Sequence, residues 1–163
     1  MKKIINNPND VVKEALEGMQ MAYKDKLEYV PGFELIVRKE LKNKVGIISG
    51  GGSGHEPLHA GYVGEGMLDA AVAGNIFSSP SPDRISEAIE RVDKGEGVLL
   101  VIKNYSGDIM NFGLSKDMAE ADDKKVATVI VKDDVAVEDS TYSTGRRGIA
   151  GTVFVHKIAG AMA

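Results

Sequence analysis

Short, nearly all-apolar runs alternate along this chain with segments whose apolar positions recur every three to four residues. Residues 45–48, 68–73, 98–102 and 126–131 are runs of the first kind, as expected of strands covered on both faces. Asn9 or Asp10 is placed to cap a helix whose Val12, Ala15, Leu16, Met19 and Tyr23 share one face. Ser81 and Pro82 open a second helix, with Ile85, Ala88, Ile89 and Val92 inward and Gly95 closing it. Residues 148–163 read as a last helix with Ile149, Val153, Ile158 and Met162 available for burial. Strand alternating with helix predicts an α/β fold: an open, mainly parallel β-sheet flanked by helices on both faces and wound by right-handed crossovers. The last helix stops on A-G-A-M-A without a C-cap or a charged tail, so the chain reads as the first part of a longer polypeptide.

Composition narrows the function classes. At 163 residues one domain, 1–163, is expected, long enough to bury roughly two-thirds of its unfolded surface. With 27% charged residues and a net charge of −4, neither nucleic acid nor an anionic membrane surface is the expected partner. The absence of cysteine excludes disulfides, thiolate nucleophiles and thiolate metal sites. No apolar run approaches membrane length, and the start M-K-K-I-I gives way to N-N-P-N-D, which is no secretory segment. A cytoplasmic location is expected.

Each strand-like run ends in a distinctive polar turn, and in an open α/β sheet ligands bind outside the carboxyl ends of the strands. S-G-G-G-S-G-H follows Ile48, G-N-I-F-S-S-P follows Ala73, and K-N-Y-S-G-D follows Ile102. Gly50, Gly51, Gly52 and Gly54 allow a sharp turn and a close approach of bare N–H groups to a ligand. The loop lacks the G-K-S/T ending of a phosphate-binding P-loop and the third glycine of a dinucleotide fingerprint. His55 to His59 spells H-E-x-x-H, a zinc-protease pattern, but Pro57 inside it and the glycines before it place His55 at a helix mouth rather than within a helix, and His156 is the one other histidine. Lys103 and Asp108 bracket the third turn. Asp108 has a plain reading as the N-cap of a helix starting near Ile109, and Lys103 as a solvated strand-end charge. Their place on one sheet edge with His55 favours a site that polarises an oxygen and removes a hydroxyl proton, as in phosphoryl transfer to an alcohol. Arg146 and Arg147 read as a solvated or ion-paired couple outside the site.

The segments S-G-G-G-S-G-H-E-P (49–57), G-N-I-F-S-S-P-S-P-D (74–83), G-E-G-V-L-L-V-I-K-N-Y-S-G-D-I (95–109), D-D-V-A-V (133–137) and G-R-R-G (145–148) resemble, in order and at consistent spacing, the substrate-binding K subunit of dihydroxyacetone kinases. The resemblance runs over the whole chain. It implies binding of dihydroxyacetone by Gly52, Ser53, Gly54, His55, Lys103 and Asp108. His55 and Asp108 would act as acid and base while the hydroxyl is phosphorylated, and Lys103 would bond substrate oxygens. It also implies no cofactor on this chain. ADP or ATP with Mg would be carried by a helical L subunit or domain, recharged in stand-alone bacterial systems by a phosphoenolpyruvate-dependent phosphocarrier protein, and the subunit would be a homodimer. Members of the family are about twice as long, and their second half supplies a histidine that holds the ketone covalently as a hemiaminal. His55 and His59 belong to the glycine motif and His156 to the last helix, so none of them takes that role. Two readings stay open: a catalytic kinase subunit, and a ketone-binding co-activator, a type the family also contains. Intact His55, Lys103 and Asp108 favour the first.

Overall fold

The computed structural model describes residues 3–138 and 145–163; Met1 and Lys2, part of the start judged above not to be secretory, lie outside them. Six strands form one sheet: β1 (Leu27–Val30), β2 (Leu35–Arg38), β3 (Gly46–Ser53), β4 (Ala70–Ile76), β5 (Val98–Lys103) and β6 (Val126–Val131), in the spatial order β1-β2-β4-β3-β5-β6. β3 pairs in parallel with β4 and β5, and β5 with β6, whereas β1 and β2 form an antiparallel hairpin added beside β4. Among the described residues no helix is long and apolar enough to cross a membrane.

The helices are α1 (Val11–Ala22), α2 (Pro82–Val92), α3 (Ser106–Ala121) and α4 (Thr152–Met162). Period-2 alternation along the strands gives each sheet face its own core. Ile48, Val72, Leu35, Leu100 and Ile102 meet Ile85, Ala88, Ile89 and Val92 of α2 and Phe112 of α3 on one face. Ile47, Ala71 and Val101 turn to the opposite face, toward α4, and Ile36 toward α1. Helices thus cover both faces, as the alternating pattern predicts. The four inward positions read for α2 are all buried, and burying each Ile or Val stabilises by roughly 2 kcal/mol.

Four local expectations are corrected. The glycines after Ile48 are not a loop: β3 continues through them to Ser53, because β4 runs alongside as far as Ile76. No α-helix follows His55; the segment is a run of turns ending in one 3-10 turn, Ala60–Tyr62. β6 is a sheet edge with Ala127, Thr128 and Ile130 exposed, so it is not covered on both faces. In α1, Ala15 and Tyr23 are exposed and Leu16 is the buried residue; the last helix begins only at Thr152, Ile149 before it is exposed, as are Ile158 and Met162, and Thr152, His156 and Gly160 are the buried positions. A small residue is needed at Gly160 because a Cβ there would lie 2.5 Å from the Met67 carbonyl oxygen.

Candidate functional site

The chain leaves β3 toward β4 on one side and leaves β5 toward β6 on the other. The carboxyl ends of β3 and β5 are therefore a topological switch point, where the crossovers diverge and open a crevice. Gly52 and Ser53 end β3, Lys103 ends β5, and Asp108 stands in the first turn of α3.

Glycine here makes room for other backbones. A Cβ on Gly52 would lie 2.8 Å from the Ser78 nitrogen, and one on Gly74 would run into the Ser78 oxygen, so the turn at 77–79 folds back over the strand ends. Gly107 admits the Ser79 side chain, whose Oγ would stand 2.7 Å from a Cβ there. Ser79 then donates a hydrogen bond to the Asp108 carboxylate.

Asp108 is third in its helix, after the N-cap position Tyr105 and Ser106–Gly107, and is 3% exposed; it is not the N-cap. Its Oδ1 has no hydrogen-bond partner among the described residues. Burial pushes its carboxyl above the usual range, partly countered by Ser79, Lys103 and His55. Lys103 is equally buried, at 1% exposed, so the solvated reading does not hold. Burial lowers its ammonium, opposed by the Asp108 charge, and Nζ lies 4.9 Å from the Tyr105 ring centroid. The result is a buried carboxylate and ammonium with donor and acceptor capacity still open.

His55 is half-buried, edge-on to Phe77 at 6.0 Å and Tyr105 at 5.8 Å between ring centroids. Its Nδ1 is 2.9 Å from the Gly52 carbonyl oxygen. A carbonyl only accepts, so Nδ1 carries a proton, and when the ring is neutral its lone pair is on Nε2, the form a general base requires. Ser53 points away from this chemistry, its hydroxyl donating to the Gly74 carbonyl at 2.7 Å. The Gly54 N–H is held by the Glu56 carboxylate at 2.9 Å, and Gly54 is the one member of the glycine run with positive φ, 109°. His55, Lys103, Asp108 and Gly52 thus converge, while the Ser53 side chain and the Gly54 N–H serve the local backbone.

Sequence reasoning missed a second polar cluster. Ser49, His59 and His156 are buried in a line between β3 and α4, with His59 Nδ1 3.1 Å from both Ser49 Oγ and His156 Nε2. His59 is drawn into the fold rather than placed one helical turn from His55, so the zinc-protease geometry is not formed. Among the described residues no three His, Asp or Glu are grouped to hold a metal. The D-D-V-A-V segment has a structural role: the Asp133 carboxylate accepts from the Ile149 and Gly151 N–H groups, both at 2.7 Å, and fixes the start of α4. Among the described residues Arg146 and Arg147 bond carbonyls, those of Val137 and Gly145, and the Arg147 guanidinium lies 5.8 Å from the Tyr105 ring centroid. A cavity of about 790 Å³ lies between α1, β1 and the 57–65 turn, but none of His55, Lys103 and Asp108 lines it.

The domain is an open, mostly parallel α/β sheet of the class whose ligand sites lie at the switch point. The Dak1 domain matches residues 17–163, and the chain belongs to that family, as its motifs indicate. It is 61% identical over 163 residues to the dihydroxyacetone-binding subunit of the PTS-dependent dihydroxyacetone kinase of Lactococcus lactis, covering 99% of this chain and 49% of that protein. The chain spans about half the length of that relative. The native crystal structure of the Citrobacter freundii dihydroxyacetone kinase matches with a TM-score of 0.93 at 42% identity, over 99% of this chain and 30% of that one. A dihydroxyacetone kinase operon co-activator matches with a TM-score of 0.87 at 40% identity, over 92% of this chain and 46% of that one.

Proposed function

We propose that this chain is the first domain of the substrate-binding subunit of a dihydroxyacetone kinase, and that its crevice holds the ketone while one hydroxyl is phosphorylated to give dihydroxyacetone phosphate. The observation that carries the reading is the buried pair Lys103 and Asp108, with Oδ1 of Asp108 unpartnered among the described residues, beside the His55 lone pair. Lys103 donates to a substrate oxygen. The hydroxyl oxygen attacks the phosphorus of the donor, and its proton passes to Asp108 or to Nε2 of His55 as the new O–P bond forms and the donor's P–O bond breaks. Burial raises the Asp108 carboxyl, which strengthens it as a base beside Lys103.

The donor belongs elsewhere. The PTS-dependent name of the Lactococcus relative supports phosphoenolpyruvate as the ultimate source, reaching the ketone through a phosphocarrier protein and a helical L subunit carrying ADP with Mg. Ser53 and Gly54 act in this reading through backbone that shapes the crevice, and Gly52 by admitting the 77–79 turn and accepting from His55 Nδ1. A homodimer in the cytoplasm completes the proposal. The co-activator reading rests on the 40% identical structure, and the 61% identical kinase subunit outweighs it.

The test supplies the intact protein with its L partner and phosphate donor and follows dihydroxyacetone consumption. Asp108→Asn is expected to slow turnover by about 10²–10⁴, and His55→Ala by a comparable factor. Full activity in both variants would refute the assignment of acid–base roles. Tight ketone binding without turnover in the wild type would favour the co-activator.

A further inference from the structure

The buried histidine that sequence reasoning passed over has one ring nitrogen unaccounted for. Ser49 has a single proton, and its hydroxyl donates it to the Val101 carbonyl at 2.6 Å. Ser49 Oγ therefore offers lone pairs to His59 Nδ1 at 3.1 Å, and that nitrogen must carry the ring proton. The same N–H faces His156 Nε2 at 3.1 Å, which accepts a share of it. His59 is 6% exposed, and burial together with the neighbouring His156, Lys103 and His55 holds its ring well below the usual imidazole range, so it is neutral. One proton on a neutral imidazole leaves Nε2 as a bare acceptor, and this buried atom has no partner among the described residues.

Nε2 faces the crevice. A Cβ built on Gly51 would meet Asp108 Oδ2 at 3.3 Å, His59 Nε2 at 3.6 Å and Lys103 Cε at 3.7 Å, so all three side chains border the space that glycine leaves open. A separate cavity of about 190 Å³ is also lined by Gly51 and His59, on the side of α1 and away from Lys103 and Asp108. The border supplies one donor, the Lys103 ammonium, and two acceptors, the Asp108 carboxylate and His59 Nε2. A ligand with one acceptor and two donors complements that set. A ketone carrying two hydroxyls has this pattern.

We infer that His59 contacts the substrate, its Nε2 accepting a hydrogen bond from the hydroxyl that is not phosphorylated. The inference rests on the proposed site and deepens it. Asp108 takes the reacting hydroxyl, Lys103 the carbonyl oxygen, and His59 reads the second hydroxyl, so the site rejects ketones that lack it. Rejection is strong where a buried acceptor would otherwise go unpaired.

The test compares binding of dihydroxyacetone and hydroxyacetone, which has one hydroxyl fewer, to the intact protein by calorimetry. His59→Asn keeps a side-chain N–H for Ser49 at the Nδ1 position and removes Nε2. The wild type is expected to prefer dihydroxyacetone by tenfold or more, and the variant to bind both ketones alike, through weaker binding of dihydroxyacetone alone. An unchanged preference in a folded variant overturns the role of His59 and leaves the site standing. Failure of the wild type to bind either ketone overturns the site itself. As a readout free of any variant, the ¹⁵N resonance of His59 Nε2 in the wild type shifts toward hydrogen-bonded values with dihydroxyacetone and stays in place with hydroxyacetone; equal shifts with both count against the inference.

Discussion

Two aspartates are buried at opposite ends of the same sheet, and they are treated in opposite ways. Asp69, at the start of β4 and 1% exposed, accepts from Arg38 Nη1 at 2.9 Å, from the Ile47 N–H at 2.9 Å and from the Lys44 ammonium. Those partners tie β2, β3 and β4 together at the amino ends of the parallel strands. Asp108, at the carboxyl ends, is as buried, yet Oδ1 is without a partner among the described residues and its cation, Lys103, is itself pushed toward neutrality by burial. A buried charge with every lone pair engaged belongs to the scaffold, whereas one left partly unengaged costs stability that a ligand recovers. The helix layers differ as well, since the buried residues of α2 are all aliphatic while α4 buries Thr152 and His156.

The sharpest way to break the comparison is to remove each carboxylate in turn. Asp69→Ala leaves Arg38 buried and unpaired and is expected to cost about 3–5 kcal/mol. Asp108→Asn, in contrast, is expected to change stability by less than about 1 kcal/mol, because its oxygen gives up no complete set of partners. Thermal unfolding measures both; at about 2–4 °C per kcal/mol the first midpoint falls by about 6–20 °C and the second stays near the wild type. Equal losses would show that the two aspartates do the same work.

A smaller effect comes from acid. Burial and the Lys103 charge lower His156 from 6.5 to about 4. The unfolded chain takes up a proton on this ring near pH 6.5, while the folded chain refuses it until about pH 4. Stability from His156 is therefore fully present above pH 6.5 and is lost as pH falls from there toward 4, by up to about 3 kcal/mol. Asp108, raised by burial, works in the opposite direction over the acid range. Urea titrations at pH 7, 6 and 5 should show the decline, to which the buried His59 contributes in the same direction, and His156→Gln should make it shallower. An identical slope in that variant would mean that the ring is protonated in the folded protein.

What was legible in the sequence follows the same division. Where packing is aliphatic, local pattern suffices: all four inward residues of α2 and the cores of β3, β4 and β5 sit where periodicity puts them. In α4 the apolar residues are the wrong guide, because β3 and the turn after it present Ser49 and His59, to which the helix turns His156, and Gly160 packs on the backbone of 66–67. The β1–β2 hairpin was missed although Pro31-Gly32 between two short apolar runs signals a turn, with φ of 85° at Gly32. The strand-end rule located Lys103 and Asp108. It had no means of pairing His59 with a residue 97 positions away, since that contact exists only once α4 is docked.

The finest test of the contrast uses two neighbouring glycines of β3, whose missing side chains point to opposite faces. A Cβ on Gly50 would lie 2.5 Å from the Val72 carbonyl oxygen and 3.0 Å from the Phe112 ring, in the aliphatic layer where backbone cannot yield. Gly50→Ala is expected to cost about 1–3 kcal/mol through overpacking, with ketone affinity in the folded fraction little changed. On Gly51 the added methyl meets no atom closer than 3.3 Å, the Asp108 carboxylate, and extended backbone accepts alanine. The reduced freedom of the unfolded chain, worth about 0.4–1 kcal/mol, offsets that contact, so stability should stay within about 0.5 kcal/mol of the wild type. Ketone affinity should nevertheless fall tenfold or more, because the methyl stands in the space that Asp108, His59 and Lys103 border. If Gly51→Ala bound dihydroxyacetone like the wild type, that space would not be where the ligand sits, and the open polar atoms at this end of the sheet would need another explanation.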